Sequence, residues 1–123
     1  MQTGRMRKYA NGFRTLIAWQ EAKKLTLKIY ALTARLPATE RFNLAQQMQK
    51  ASSSVMANLA EGSAMLTGPH LIKFYATARG STVEVDNHIE LCAALGYVTQ
   101  PEQEDIADHC ARLTYLITKL IDC

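Results

Sequence analysis

Apolar residues spaced three and four apart over long stretches, broken at only three short points, constrain the fold more than any other feature of this chain. The breaks contain Pro37, the pair Gly68-Pro69 and Gly96, residues that end or begin helices. A spacing of three and four places side chains on one face of an α-helix. Because the connections are short, consecutive helices should run antiparallel. The pattern predicts an all-α, up-down-up-down antiparallel four-helix bundle.

The first two helices are predicted over about 13–36 and 40–64, with Thr39 as the N-cap of helix 2 and with Gly62 and the turn at 67–70 ending it. Helix 1 stops before Pro37 because a residue preceding proline is pushed out of the helical region. The predicted core positions of these helices are Leu16, Trp19, Leu25, Ile29 and Leu32, then Leu44, Met48, Val55 and Leu59.

The last two helices have clear end signals. Pro69 suits the first turn of helix 3 and Gly96 suits its C-terminal glycine. Thr99 and Glu102 have the spacing of a capping box at the start of helix 4. The predicted core positions are Leu71, Phe74, Ala78, Ser81, Val85, His88, Cys92 and Leu95 in helix 3, then Ile106, Cys110, Leu113, Leu116 or Ile117, and Leu120 in helix 4.

Positive charge is concentrated at the start of the chain. The net charge is +3, yet residues 1–14 hold four of the fourteen basic residues and no acid, so the remainder, with ten basic and eleven acidic residues, sums to −1. We expect a flexible basic arm over 1–12 and one nearly neutral bundle domain over 13–123. No apolar run of signal-peptide or membrane-span type is present, so the expected location is the cytoplasm. Three cysteines without CxxC spacing fit reduced thiols.

The sequence contains none of the short motifs that mark hydrolases, phosphate loops, dinucleotide sites or zinc proteases. The carboxylates within 102–108 suit the positive end of a helix. His88, Cys92 and His109 should lie at similar levels and could bind zinc, but they lack a ligand-motif spacing and a fourth donor. We interpret them as core side chains. The expectation is therefore a protein without enzyme activity, metal site or cofactor.

A polar stripe accompanies the apolar face of helix 2, and a small polar patch on helix 3 should face it. The candidate residues are Gln47, Ser54, Asn58, Glu61, Ser81 and Glu84. Three interpretations are open: a solvated face, a buried or interfacial hydrogen-bonded network, and a ligand or nucleic-acid site. Small residues around Ala51 and Ser52 favour the network. Antiparallel pairing should place Ser81 level with these two residues and Glu84 near the start of helix 2 or at a subunit contact.

Several short motifs occur in a fixed order along the chain. They are Phe13, Leu16, Trp19-Gln20, Ile29-Tyr30, Pro37 with Glu40, Asn58-Leu59-Ala60-Glu61-Gly62, Gly80-Ser81 with Glu84, and Leu95-Gly96-Tyr97. With these motifs the chain resembles the four-helix-bundle proteins encoded in intervening sequences of bacterial 23S rRNA genes. The resemblance implies a ring-like homo-oligomer, expected to be a pentamer, without a settled biochemical role. A related group comprises accessory proteins of diversity-generating retroelements, which bind nucleic acid and a reverse transcriptase.

A non-enzymatic, self-associating bundle is thus the leading hypothesis, and an RNA- or DNA-binding accessory protein is the alternative. The alternative would use the basic arm and helix 1, through Arg5, Arg7, Lys8, Tyr9, Arg14, Lys23, Lys24 and Lys28. Binding through phosphates would weaken steeply with salt, which separates the two hypotheses. The larger aromatic side chains are expected in the core or an interface, namely Trp19, Tyr30, Phe42, Phe74 and Tyr75. Neither a membrane nor a small-molecule substrate is expected as a partner.

Overall fold

The computed structural model describes residues 12–65 and 68–122. Four α-helices make up most of these ranges: α1 (Ile17–Thr33), α2 (Leu44–Ala64), α3 (Pro69–Ala94) and α4 (Gln100–Asp122). Two 3-10 turns, Gly12–Thr15 and Ala38–Glu40, lie before α1 and α2. The basic residues expected in the arm before Gly12, together with Cys123, lie outside the described ranges.

The helices pack in chain order around a shared core. α2 packs against α1 and α3, and α4 packs against α3 and α1. Within the described ranges no close backbone approach joins α1 to α3 or α2 to α4, so these pairs lie on the two diagonals. The predicted four-helix bundle is confirmed. None of these helices is both long and apolar enough to cross a membrane.

The core contains nearly all the predicted apolar positions of α1, α2 and α4, but the buried stripe of α3 differs in phase. Tyr75, Thr82 and Ile89 are buried although the repeat omitted them, whereas Leu95 was predicted as core and is 49% exposed. α3 lies between α2 and α4, so its buried arc is wide and centred between the two contacts. The hydroxyl of buried Thr82 donates to the carbonyl of Ala78, which satisfies it inside the core.

The predicted start of helix 2 is wrong. Thr39 does not cap it, because residues 38–40 form a 3-10 turn and α2 begins at Leu44. The amide of Glu40 bonds the carbonyl of Pro37 at 2.8 Å, three residues back, instead of continuing into an α-helix. Across the bundle, the hydroxyl of Tyr97 donates to the Glu40 carboxylate at 2.9 Å. This tertiary bond anchors the turn before α2.

The predicted ends of α3 and the start of α4 are confirmed. Pro69 is the first residue of α3. Gly96 follows its end with φ 77°, a left-handed conformation that favours glycine. The amide of Tyr97 bonds the carbonyl of Cys92 at 2.9 Å, closing a Schellman motif. The Thr99 amide donates to Glu102 at 2.9 Å, and the Glu102 amide donates to the Thr99 hydroxyl at 3.3 Å.

Gly62 does not end helix 2. It is buried within α2, which continues to Ala64. A Cβ atom at this position would lie 2.6 Å from the Tyr75 ring, so the glycine permits α2 and α3 to approach closely near their connection. Its role is packing between helices rather than helix termination.

Candidate functional site

A row of charged contacts joins α1 to α4. The Lys28 ammonium lies 3.1 Å from Asp105, and the Arg35 guanidinium is paired with Glu102. Glu21, Lys28 and Arg35 follow a seven-residue spacing, so they lie along one side of α1 and of the turn that follows Thr33. Because these cations contact acids of the same chain, they contribute to the α1–α4 contact and offer less positive charge to an external phosphate.

Glu21, at one end of this row, has the most charged contacts. Its carboxylate lies 3.2 Å from Lys24 and from Arg112, and 3.3 Å from the Nε2 atom of His109. Burial alone would raise the pKa of Glu21, but hydrogen bonds from Lys24 and Arg112 lower it below the ordinary value. Sequence analysis missed Glu21 and Arg112. The seven-residue spacing of charges on α1 was the signal that could have revealed them.

The predicted nucleic-acid residues divide into three groups. Lys24 and Lys28 have acidic partners within the bundle, as described above. Lys23 and Arg14 lie over aromatic rings, at 5.7 Å from the Trp19 centroid and 4.3 Å from that of Phe13. The others fall outside the described ranges: Arg5, Arg7, Lys8 and Tyr9. The described helix-1 cluster is therefore mostly engaged by its own chain.

Part of the predicted polar stripe forms a connected set of hydrogen bonds. The hydroxyls of Ser54 and Ser81 are 3.0 Å apart across the α2–α3 contact. The Asn58 amide donates to the Ser54 carbonyl at 2.8 Å and to its hydroxyl at 3.1 Å. All three side chains are half-buried. The predicted register was offset, because Ser81 meets Ser54 rather than Ala51 and Ser52. A displacement of two to three residues moves the contact about 3–4.5 Å along α2, less than one helical turn.

The other members of the stripe lie apart from this set. The Gln47 amide donates to the side chain of Asn43 at 3.0 Å, and Glu61 is exposed. Glu84 lies 3.2 Å from the Nε2 atom of His88, one turn ahead on the same helix, rather than near the start of α2. The stripe is therefore a small half-buried cluster with exposed ends. The structure does not place its six candidate residues in one site.

The residues considered for zinc make other contacts. The Nε2 atom of His109 is 3.0 Å from the carbonyl oxygen of Glu21, so its N–H donates there. Burial and the nearby Lys28 charge lower the pKa of His109, which favours the neutral ring. The Cys92 thiol donates to the sulfur of Met48 at 3.6 Å. Among described residues, no three histidine, cysteine or acidic side chains form a group that could hold a metal ion.

Two thiols are buried in the core and have raised pKa values. Burial, with the nearby Glu40 carboxylate, raises the pKa of Cys92 to about 11. Burial also raises the pKa of Cys110 to about 12. A thiol is nucleophilic as its thiolate, so both side chains act as small apolar groups in the core.

A groove of about 570 Å³ lies where α1 ends and α2 begins. Its lining is Thr33, Ala34, Leu36, Pro37, Ala38, Arg41, Phe42, Ala45, Gln46 and Gln49, which includes no carboxylate, imidazole or thiol. Phe42 at its rim is 81% exposed, so it does not belong to the core of the single chain.

Two outward surfaces combine apolar and charged side chains. The α3 outer face consists of Gly80, Val83, Glu84, Glu90 and Leu91, all exposed. Val83 is 56% exposed, and nothing lies within 4 Å of the position that a Cβ atom of Gly80 would occupy. Burial, followed by the negative charge of Glu90, raises the pKa of neighbouring Asp86. Exposed Asn87 lies among these residues, one turn from Val83 and from Leu91, so this surface combines apolar, polar and acidic side chains.

The α1 outer face consists of Lys23, Lys24, Leu27 and Tyr30. Leu27 is 62% exposed at its centre, with both lysines one turn earlier. Tyr30 is exposed as well, contrary to a place in the single-chain core. This surface is apolar and basic. Sequence analysis had named Gly80, Glu84, Lys23, Lys24 and Tyr30. It missed Leu27, Val83 and Leu91 because these apolar residues fall outside the core repeat, and that displacement was itself the available signal.

Comparison with known proteins identified one family. The profile of the 23S rRNA-intervening sequence protein family matches residues 14–119. A crystal structure of a protein of unknown function from the S23 ribosomal protein family of Bacteroides thetaiotaomicron has a TM-score of 0.80 and 18% sequence identity, covering 87% of this chain and 96% of that one. That likeness concerns the fold. No curated protein matches the chain.

Proposed function

Because the chain belongs to the 23S rRNA-intervening sequence protein family, which is of unknown function, we propose that it acts without catalysis, as the subunit of a closed ring-like homo-oligomer. A pentamer is the expected assembly. The observation that carries this proposal is Gly80, an exposed glycine in the middle of α3. Its environment distinguishes it from the structural glycines of the chain.

Gly80 has no role within the single bundle that requires a missing side chain. It lies inside a 26-residue helix, has no positive φ, and has open space where a Cβ atom would be. A glycine inside a helix costs about 0.5–1 kcal/mol relative to alanine. A second backbone approaching this point offsets that cost, because glycine permits close contact between helices. Exposed Val83 and Leu91 supply apolar area beside it.

The proposal also accounts for the absence of chemistry along the described surfaces. The groove between α1 and α2 is lined by no carboxylate, imidazole or thiol, both described thiols are buried in the core, and His109 and His88 contact Glu21 and Glu84. These features support a role in assembly. No specific contact of the described residues favours a small-molecule substrate.

Light scattering after size-exclusion chromatography tests the proposal. The untagged protein should elute at a multiple of 13.7 kDa, and Gly80→Leu should shift it toward 13.7 kDa while its helical circular dichroism is retained. Ala111→Leu, at an exposed position of α4, is the matched control and should leave the mass unchanged. A wild-type protein of 13.7 kDa, or a Gly80→Leu variant of undiminished mass, would overturn it.

The same chromatogram tests the nucleic-acid alternative. Absorbance at nucleic-acid and protein wavelengths should show protein alone in the oligomer peak. Nucleic acid that co-elutes in low salt and is released by high salt would support the alternative. The basic residues within 1–14 would then be the first positions to substitute.

A further inference from the structure

The α3 outer face and the α1 outer face have complementary properties. Resting on the proposed self-association, we propose that the α3 outer face of one copy packs against the α1 outer face of the next. The contact is therefore head-to-tail, with a different surface contributed by each partner. Leu27 of one copy packs beside Gly80 and Val83 of its neighbour.

The positions of the two faces permit this arrangement. α1 and α3 lie on a diagonal of the bundle, without close backbone approach among the described residues, so their outer faces point away from one another. A copy bound at one face leaves the other available for a further copy. Such heterologous contacts generate closed rings or filaments, whereas a contact between identical faces stops at a dimer.

The shapes of the faces also fit. Gly80 leaves open space on α3, flanked by exposed Val83. On α1, Leu27 is 62% exposed and is followed one turn later by exposed Tyr30 and the small residue Ala31. A leucine opposite a glycine lets the two helix backbones approach closely.

Charge distinguishes this pairing from the alternatives. Lys24 retains 68% side-chain exposure beside Glu21, and Glu84 retains 52% beside His88, so both charges remain accessible. An α1–α3 contact brings Lys23 and Lys24 toward Glu84 and Glu90. A contact between two α3 faces would oppose acid to acid, and a contact between two α1 faces would oppose lysine to lysine. Opposed like charges disfavour both of those pairings.

Charge reversal tests the pairing in the full-length protein. Glu84→Lys with Glu90→Lys should weaken association, and so should Lys23→Glu with Lys24→Glu, each raising the concentration of half-dissociation about tenfold or more. The chain carrying all four substitutions should regain the wild-type mass, because both faces then reverse sign together. Light scattering across a dilution series provides the measurement, and circular dichroism verifies folding.

A matched control reverses the same number of charges elsewhere. Glu104→Lys with Asp108→Lys alters exposed acids of α4 that belong to neither face, and should leave the mass unchanged. Restored association of the four-substitution chain supports the pairing. An oligomer insensitive to the α1 substitutions, or a four-substitution chain that stays dissociated, would overturn this pairing while leaving self-association intact. A monomeric wild-type protein would overturn self-association itself.

Discussion

Among individual residues, Gly62 and Gly80 have opposite environments. A Cβ atom at Gly62 would lie 2.6 and 2.8 Å from two carbons of the Tyr75 ring and 3.2 Å from the Cβ atom of Phe74. Tyr75 is 5% exposed, so its ring has little room to move away. At Gly80 the same atom would meet nothing within 4 Å. The two glycines share a helical context, and only their surroundings distinguish them.

Gly62→Ala is expected to lower the free energy of unfolding by roughly 1–3 kcal/mol, because overpacking outweighs the better helix propensity of alanine. Urea denaturation of the purified variant provides the measurement. Ser63→Ala, the next position, removes a hydroxyl that bonds only the carbonyl of Ala60 and should change stability by less than about 0.5 kcal/mol. Equal stability of Gly62→Ala and wild type would contradict the close approach of the helices.

His109 should make stability depend on pH. Its folded pKa is lowered from 6.5 by burial and by Lys28 and Arg112, against the opposing effect of Glu21. The unfolded chain therefore takes up a proton more readily. The resulting contribution to the free energy of unfolding is fully present above pH 6.5 and is lost as the pH falls below that value.

His109→Gln should flatten the dependence of the unfolding free energy on pH between about 7 and 5, since glutamine does not titrate and its amide can still donate to the Glu21 carbonyl. Urea titrations at several pH values provide the measurement. His70→Gln, exposed in the first turn of α3, is the control and should retain the wild-type slope. A steep slope that persists in His109→Gln would assign the effect to other groups.

Among the four described helices, α4 has the most complete side-chain cap, at its N-terminus. Thr99 and Glu102 satisfy one another's backbone amides, and Glu102 also pairs with Arg35 of α1. The first part of this arrangement was predicted from spacing, because both partners lie within one turn. The bond to Arg35 spans 67 residues and depends on the α1–α4 contact.

Thr99→Ala should lower the free energy of unfolding by about 1 kcal/mol, since the amide of Glu102 loses its acceptor at the helix start. Thermal or urea unfolding measures the change. Gln100→Ala alters the neighbouring exposed position, whose side chain bonds only Glu104, and should cost about 0.2–0.5 kcal/mol. A Thr99→Ala variant no less stable than Gln100→Ala would show that the cap contributes little.

For the whole molecule, the structure separates residues that stabilise the bundle from residues proposed to join copies. Asn58 bonds Ser54 on its own helix, and Ser54 bonds Ser81 within the same chain. The Ser54 cluster therefore belongs to the fold. Gly80, on the outer face, contributes no packing within the bundle.

Asn58→Leu should lower the free energy of unfolding by about 1 kcal/mol, because a hydrogen-bonded, half-buried amide is removed, and should leave the assembly mass unchanged. Gly80→Leu should reduce the assembly mass and leave the helical fold of the bundle intact. Denaturation and light scattering on the two variants separate the effects. Unaltered unfolding of Asn58→Leu would return its stripe to a solvated face, and a reduced mass would place it in the interface.

Interactions between residues within one or two helical turns could be predicted from the amino-acid sequence. The apolar period predicted four helices, and Pro69, Gly96 and the Thr99–Glu102 pair marked their ends because helix termini depend on backbone groups a few residues away. Short motifs across the chain also indicated the family. These features require no knowledge of which helices meet.

Contacts between segments far apart in the sequence could not be predicted, because they depend on how the helices pack. Tyr97 anchors the turn at Glu40 from 57 residues away, and Ser81 meets Ser54 rather than Ala51 because packing sets the register. Asp105 and Glu102 of α4 form ion pairs with Lys28 and Arg35 for the same reason. Periodicity specifies which face of a helix is apolar, but the axial register and the neighbour of each face follow from side-chain interdigitation across the core.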